Sequence, residues 1–597
     1  MKRIRFLSIA LAVLFFGLMT APFWHAGASD CTRTSVGFSP LNDLGAGLYK
    51  NKQGGLYPNG SNLRPALHEI AGVQIAKNIV PLNAGGQPDQ NGRVVLLSIG
   101  MSNTTQEFST FIALANPDAA RNPKLTIVDG AQGGISADRI VDLSTTTAQQ
   151  FWQTVDQRLA AAGVTPAQVQ AAWVKQADAG PTLPFPDDAL KLKGELATIT
   201  QILKTRFPNI KIAYNSSRIY AGYATSTLNP EPFAYQSGFA VKWLIEDQIK
   251  GSTDLNYDAT RGTVKAPWLA WGPYLWADGT TPRSDGLTWA CSDFQSDGTH
   301  PFSPGAREKV ATMLLNFFKN DSTAWRWFVN PQSRTNPIDQ TDFFVRQHYS
   351  DFLSRDPDAS GIAFWDSDIN SCGSTQECID VNRINVSAAF FLSIEFQQTG
   401  YLVYRMYKAA YGNLPSAPVP VKLIEFLPDA QETGQGVIVG QTGWETTLEN
   451  NKQAFALDFV QRARFAAAFP TSLTPVQFVN TLFANAGMGP SPSDSAAAIN
   501  EFGGATSTND VAARARALRR VADNSILSQQ EFNRAFVLMQ YFGYLRRNPS
   551  DPPEPTLDYQ GFDFWLNKLT SFGGNYINAE MVKAFVNSTE YRQRFGP

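Results

Sequence analysis

Four short, nearly unbroken apolar runs between residues 93 and 214 constrain this chain more than any other feature. They are Arg93-Val-Val-Leu-Leu-Ser-Ile99, Lys124-Leu-Thr-Ile-Val128, Ala171-Ala-Trp-Val-Lys175 and Ile210-Lys-Ile-Ala-Tyr214. Runs of this kind suit parallel strands buried on both faces. Helical stretches separate them, notably Ala148 to Ala162 and Ala189 to Phe207. Strands alternating with helices imply βαβ units. The expected fold over residues 93–328 is therefore α/β, a three-layer sandwich around a parallel sheet, with functional groups gathered at the carboxyl ends of the strands.

A chain of 597 residues exceeds what one core sustains. Residues 1–28 have the layout of an export signal: Lys2, Arg3 and Arg5, an apolar run from Phe6 to about Trp24, then Ala26-Gly27-Ala28. Residues 29–92 are rich in Gly, Asn and Pro and read as an irregular lead-in. A polar stretch at 329–340 marks a linker, and residues 341–597 are helical in character. This last region repeats itself: Phe344-VRQHYSDFLSRD-Pro357 aligns without gaps on Phe536-VLMQYFGYLRRN-Pro549. Gly361-IAF-Trp365 then matches Gly561-FDF-Trp565, and Ser393-IE-Phe396 matches Ser588-TE-Tyr591. Units are expected near 343–400 and 536–597, with a degenerate copy at 455–532, in an all-α domain that buries apolar faces between neighbours.

The balance of 50 basic and 52 acidic residues becomes 47 and 52 once the three signal cations are removed. A mildly acidic surface argues against nucleic acid as a partner, and no second segment is apolar enough for stable membrane insertion after signal removal. The expected location is periplasmic, cell-surface or extracellular. Four cysteines lie beyond the signal, an even number in a compartment where disulfides persist. The favoured pairing is Cys372 with Cys378, leaving Cys31 with Cys291; the alternative is four free thiols. No spacing fits zinc, and Asp356-Pro-Asp358-Ala-Ser360-Gly361 lacks the twelfth-position glutamate of a calcium loop, having Ser367 there.

A serine hydrolase needs a nucleophile on a tight turn, a histidine, an orienting carboxylate and oxyanion donors. Ser102 follows the first strand in Gly100-Met101-Ser102-Asn103. Asp297-Gly-Thr-His300-Pro301 lies near the end of the same region, and its spacing lets the carboxylate reach Nδ1 while Nε2 faces the serine. Of the histidines beyond the signal, His68 sits in a polar lead-in helix and His348 aligns with Gln540, which leaves His300 as the base. Against this stands the plainer reading of Ser102 as a loop residue and Asp297 as a helix cap.

In their order and position these pieces resemble the SGNH, or GDSL-type, hydrolase family over roughly Arg93 to Trp327. The resemblance implies Ser102 as nucleophile, His300 as general base and Asp297 as its orienting acid. It implies an oxyanion hole built from Ser102, a glycine of Gly130-Ala131-Gln132-Gly133-Gly134 and a side-chain amide. Gly133 is the first choice and Gly134 the alternative; Gln176 stands where the family has asparagine, with Asn215 competing. Met101 replaces the family's aspartate before the serine, which leaves subfamily and substrate open. The C-terminal region resembles a repeat family of unknown function seen in secreted bacterial proteins, through its Arg-x-Pro, Gly-x-x-Phe-Trp and Ser-x-Glu-Phe elements.

Trp268, Trp271, Tyr274, Trp276 and Trp289 crowd one stretch. They read either as domain core or, for Trp271 and Trp276, as a stacking platform for substrate. The expected function is an exported carboxylic ester hydrolase needing no cofactor or metal, acting on acylated carbohydrate, such as O-acetyl groups on polysaccharide, or on another ester. The alternative is an inactive surface adhesion or scaffold protein using its repeats. For residues 341–597 a cell-surface or glycan partner is expected.

Overall fold

The structure is a computed structural model describing residues 28–330, 332 and 336–596; the export signal expected at 1–28 lies outside the described residues apart from Ala28. Five parallel strands form one sheet: β1 Val94–Gly100, β2 Leu125–Asp129, β3 Val169–Lys175, β4 Ile212–Asn215 and β5 Trp268–Trp271, in the order β2-β1-β3-β4-β5. Register brings Gly100 beside Lys175, Val174 beside Asn215, and Asn215 beside Trp271, so the carboxyl ends form one edge. Every residue of β1 and β3 is buried, which is why these strands carry no polar alternation.

Helices flank the sheet. Between the strands lie α2 Ser102–Ala115, α3 Thr146–Ala161, α4 Asp187–Arg206 and α5 Phe233–Ile249, and α6 Ala306–Asn320 follows the last strand. One helical layer contains α2 and α6, where Phe111 meets Phe318 at 5.5 Å. Tyr214 of β4 points into that layer against Phe317, 5.0 Å away. By the alternation of a strand its neighbours Ala213 and Asn215 face the other layer, where α4 and α5 pack together.

The lead-in carries more regular structure than its composition suggests. Helix α1, Ala66–Lys77, lies over β5, with His68 stacked on Trp268 at 4.7 Å and its Nε2 2.7 Å from the Leu269 carbonyl oxygen. Burial lowers the His68 pKa to about 4, so the ring is a neutral packing group. Leu41 and Tyr57 of the lead-in are also buried in the core that surrounds the sheet. Trp271 and Trp276 are 2% and 0% exposed, and their indole N–H groups bond Leu56 and Glu231. A stacking platform needs open ring faces; these two rings are core, which corrects the substrate-binding expectation.

A second core spans Ile338 to Phe595 and is entirely helical among the described residues. The matched segments have matched structures. Helix α7, Thr341–His348, runs into a π-turn at Tyr349–Leu353 and a left-handed Ser354; the later segment runs into a π-turn at Gln540–Leu545 and a left-handed Arg546. Arg355 pairs with Glu395 and Arg547 with Glu590, each beneath a tyrosine ring, Tyr349 or Tyr541. Ser393 and Ser588 each cap the short helix that follows. The two segments touch: Phe352 meets Tyr544 at 5.2 Å, and buried Asp351 accepts from Arg546 and Arg594. Gly400–Tyr411, which follows the first unit and lies in no later one, forms a helix buried almost throughout.

Two disulfides join Cys31 to Cys291 and Cys372 to Cys378. Among the described residues no helix is long and apolar enough to cross a membrane.

Candidate active site

The position of Ser102 is set by the junction of β1 and α2. Gly100 is the last strand residue, and a Cβ there would fall 2.3 Å from the Lys175 carbonyl oxygen, so only glycine allows the turn. Ser102 is the first residue of α2, where the backbone N–H groups of the opening turn have no partner within the helix. Its Oγ lies 2.8 Å from His300 Nε2.

The Asp297–His300 segment is a tight turn tied down from several directions. Asp297 Oδ2 lies 2.5 Å from His300 Nδ1, while Oδ1 accepts the N–H groups of Thr299 and His300, both at 3.0 Å. Burial opposes charge on Asp297, but the hydrogen bonds from His300 and Thr299 outweigh it and hold the carboxyl at about 2. Asn103 of α2 donates to the Thr299 carbonyl at 3.0 Å. Gln295 donates to Gln106 of α2 at 3.0 Å, and its own N–H reaches the His300 carbonyl at 2.8 Å. Both ends of the serine–histidine contact are thereby fixed to one helix. On the far side Ser29 donates its N–H to the Ser296 carbonyl at 2.7 Å, next to the Cys31–Cys291 link.

Asp129, ending β2, organises the glycine loop. It accepts from Ser98 Oγ at 2.6 Å, from Thr105 of α2 and from the Ala131 N–H at 3.0 Å. Arg158 of α3 donates to the carbonyls of Asp129 and Ala131 at 2.9 and 2.7 Å. This brings Gly133 against Ser102: a Cβ on Gly133 would lie 3.8 Å from Ser102 Cβ. Gly134, left-handed at φ +76°, has no neighbour that close. Gln176, just past β3, donates to the Ile135 carbonyl at 3.1 Å and accepts the Ala177 N–H at 3.1 Å, which leaves its second amide hydrogen unassigned. Asn215 donates to the Ala213 carbonyl at 3.3 Å and lies two strands away from β1.

One pair had no sequence signal. Glu107 and Lys175 are 0% and 1% exposed, and Lys175 Nζ reaches both carboxylate oxygens at 2.5 Å. Burial pushes the Glu107 carboxyl up and the Lys175 amine down, and each charge opposes the shift of the other. The pair fastens α2 to the end of β3, beside Gln176. Asn103, Gln106 and Gln295 likewise carried no local pattern; only their contacts reveal them.

No protein-family model matches the chain, and no curated protein matches it. Among solved structures, a protein described as "a putative SGNH hydrolase from Slackia heliotrinireducens" is similar at 14% identity and a TM-score of 0.21, covering 38% of this chain and 99% of that one. A likeness so slight assigns neither family nor activity.

Proposed function

We propose that this chain is an exported carboxylic ester hydrolase of SGNH type, working through Ser102, His300 and Asp297. The observation that carries the reading is the continuous relay from Ser102 Oγ to His300 Nε2 at 2.8 Å and from His300 Nδ1 to Asp297 at 2.5 Å, at the carboxyl edge of a parallel sheet. Those are the contacts that general-base activation of a serine requires.

In this mechanism Ser102 Oγ attacks the ester carbonyl carbon as its proton passes to Nε2 of His300. Asp297, kept ionised by its three donors, stabilises the imidazolium. The oxyanion of the tetrahedral intermediate accepts hydrogen bonds from the N–H groups of Ser102 and Gly133 and from the second amide hydrogen of Gln176. Collapse expels the alcohol, protonated by His300. Water then attacks the acyl carbon, again giving its proton to His300, and the free acid leaves with Ser102 restored. The substrate class we favour is O-acylated carbohydrate, with residues 341–597 serving as an attachment or scaffold region.

Hydrolysis of p-nitrophenyl acetate, butyrate and octanoate by the purified chain, beside Ser102→Ala, tests the reading. Activity lost in the variant is the expected result. Undiminished hydrolysis by a folded Ser102→Ala would refute it.

A further inference from the structure

The frame that holds Ser102 against His300 has a member on a third element. Arg307 lies in the first turn of α6 and is half-buried. Its Nε donates to the Pro301 carbonyl at 2.9 Å, and its Nη2 donates to Gln106 Oε1 at 2.9 Å. Pro301 follows His300 directly, and Gln106 stands one turn beyond Ser102 on the same face of α2. One guanidinium therefore spans from the neighbour of the histidine to the neighbour of the serine. Among the described residues no carboxylate lies within ion-pair distance of Arg307; these donors go to two neutral oxygens.

Gln295 spends its amide group on the same two oxygens, Gln106 Oε1 at 3.0 Å and the Pro301 carbonyl at 3.2 Å. Each oxygen thus takes two donors, one for each lone pair. The two side chains differ in what they can fix. Gln295 belongs to the loop that carries His300, is tied to it by its own N–H at 2.8 Å, and moves with it. Arg307 comes from α6, which packs along α2 where Phe318 meets Phe111. The start of α6 is itself closed: Glu308 accepts from Ser303 Oγ at 2.5 Å and from the Gly305 N–H at 2.8 Å. Lys309, two residues on from Arg307, donates to Asp293 at 2.6 Å, which holds the root of the same loop. Nε and Nη2 share one edge of a rigid plane, so the spacing between the two donors cannot stretch.

We propose that Arg307 is a positioning residue for the reaction: its edge sets the separation of Pro301 from Gln106, and through them the 2.8 Å between Ser102 Oγ and His300 Nε2. It touches neither the substrate nor the reacting atoms. The inference rests on the esterase reading above and adds the group that keeps His300 in register with α2. Lysine offers one donor position in place of two and cannot reproduce a fixed edge. A misplacement of about 1 Å at the reacting groups costs about 10²-fold in rate.

The test measures kcat and KM on p-nitrophenyl acetate for the full chain, Arg307→Lys and Arg307→Met, with thermal unfolding to establish that each is folded at the assay temperature. In Arg307→Met kcat is expected to fall about 10²-fold with KM little changed, and Arg307→Lys to fall less. A merely structural arginine would not split the two constants in this way. A folded Arg307→Met with wild-type kcat, or one whose loss lies in KM, would overturn the proposal. Should that variant fail to fold, Gln106→Leu removes the same contact from the α2 side and should show the same split; an unchanged kcat there overturns the proposal equally. A wild-type chain that hydrolyses no ester refutes the esterase reading and this inference with it, whereas an active wild type beside an equally active Arg307→Met refutes this inference alone.

Discussion

Replacing Asp297 by asparagine tests the relay at its least replaceable point. Asparagine keeps the shape, and its carbonyl can still accept the N–H groups of Thr299 and His300 that now bond Oδ1 at 3.0 Å. Its amide group then faces His300 Nδ1, which must become the acceptor. The ring proton moves to Nε2, the nitrogen 2.8 Å from Ser102, and no lone pair remains to take the serine proton. The expected loss in kcat is about 10⁴-fold, or roughly 5.5 kcal/mol. The ground-state effect is smaller. A carboxyl held at about 2 against an ordinary 3.8 corresponds to about 2 kcal/mol favouring the charged form in the folded chain. Because the folded pKa is depressed, that stability is fully present above about pH 4 and is lost as pH falls through about 2. Two measurements check this: kcat on p-nitrophenyl acetate at pH 7, and thermal unfolding of both proteins from pH 7 down to pH 2. The variant should be less stable at pH 7, with the gap closing in acid, and its rate loss should far exceed its stability loss. A variant within tenfold of wild-type kcat, or a stability gap unchanged at pH 2, would refute the reasoning.

Three further outcomes are expected. Gly298→Ala should destabilise the chain by about 1–3 kcal/mol and lower kcat, since the left-handed φ of +66° and the Tyr223 carbonyl leave no room for a Cβ; unfolding curves and ester turnover read both effects. Removing both cysteines of the Cys31–Cys291 link should cost about 3–5 kcal/mol in denaturant unfolding, because the closed loop spans 260 residues. Glu107→Gln leaves Lys175 buried without its counter-charge and should cost about 3–5 kcal/mol, read as a lowered urea midpoint.

How far the sequence could be read depended on whether a signal was local. Continuous apolarity marked β1 to β4 because strands buried on both faces have no polar side to interrupt them. Trp268–Trp271 is a strand of the same kind, but its tryptophans read equally as core or as a stacking platform and marked no strand, and only the cover supplied by α1 shows why an edge strand could be so apolar. The helix Gly400–Tyr411 escaped because its near-complete burial is set by distant partners: even Arg405 and Lys408 are buried, meeting the Ala522 carbonyl and Glu531 more than a hundred residues away. At the candidate site, Asp297 and His300 were legible as a three-residue spacing. Glu107 and Lys175 were not, being 68 residues apart with neither position unusual by itself.

The contact between the matched helical segments bears on how that region comes apart. An open stack of units can fray from either end, each unit leaning only on its neighbour. Here Asp351 of the first segment holds Arg546 and Arg594 of the last, and Asp339 holds Arg592, so the beginning and end of the region are clasped together. Neither end is free to peel first. The region is accordingly a closed clasp, in which losing one unit opens the seam that secures the other, and its melting should be a single step.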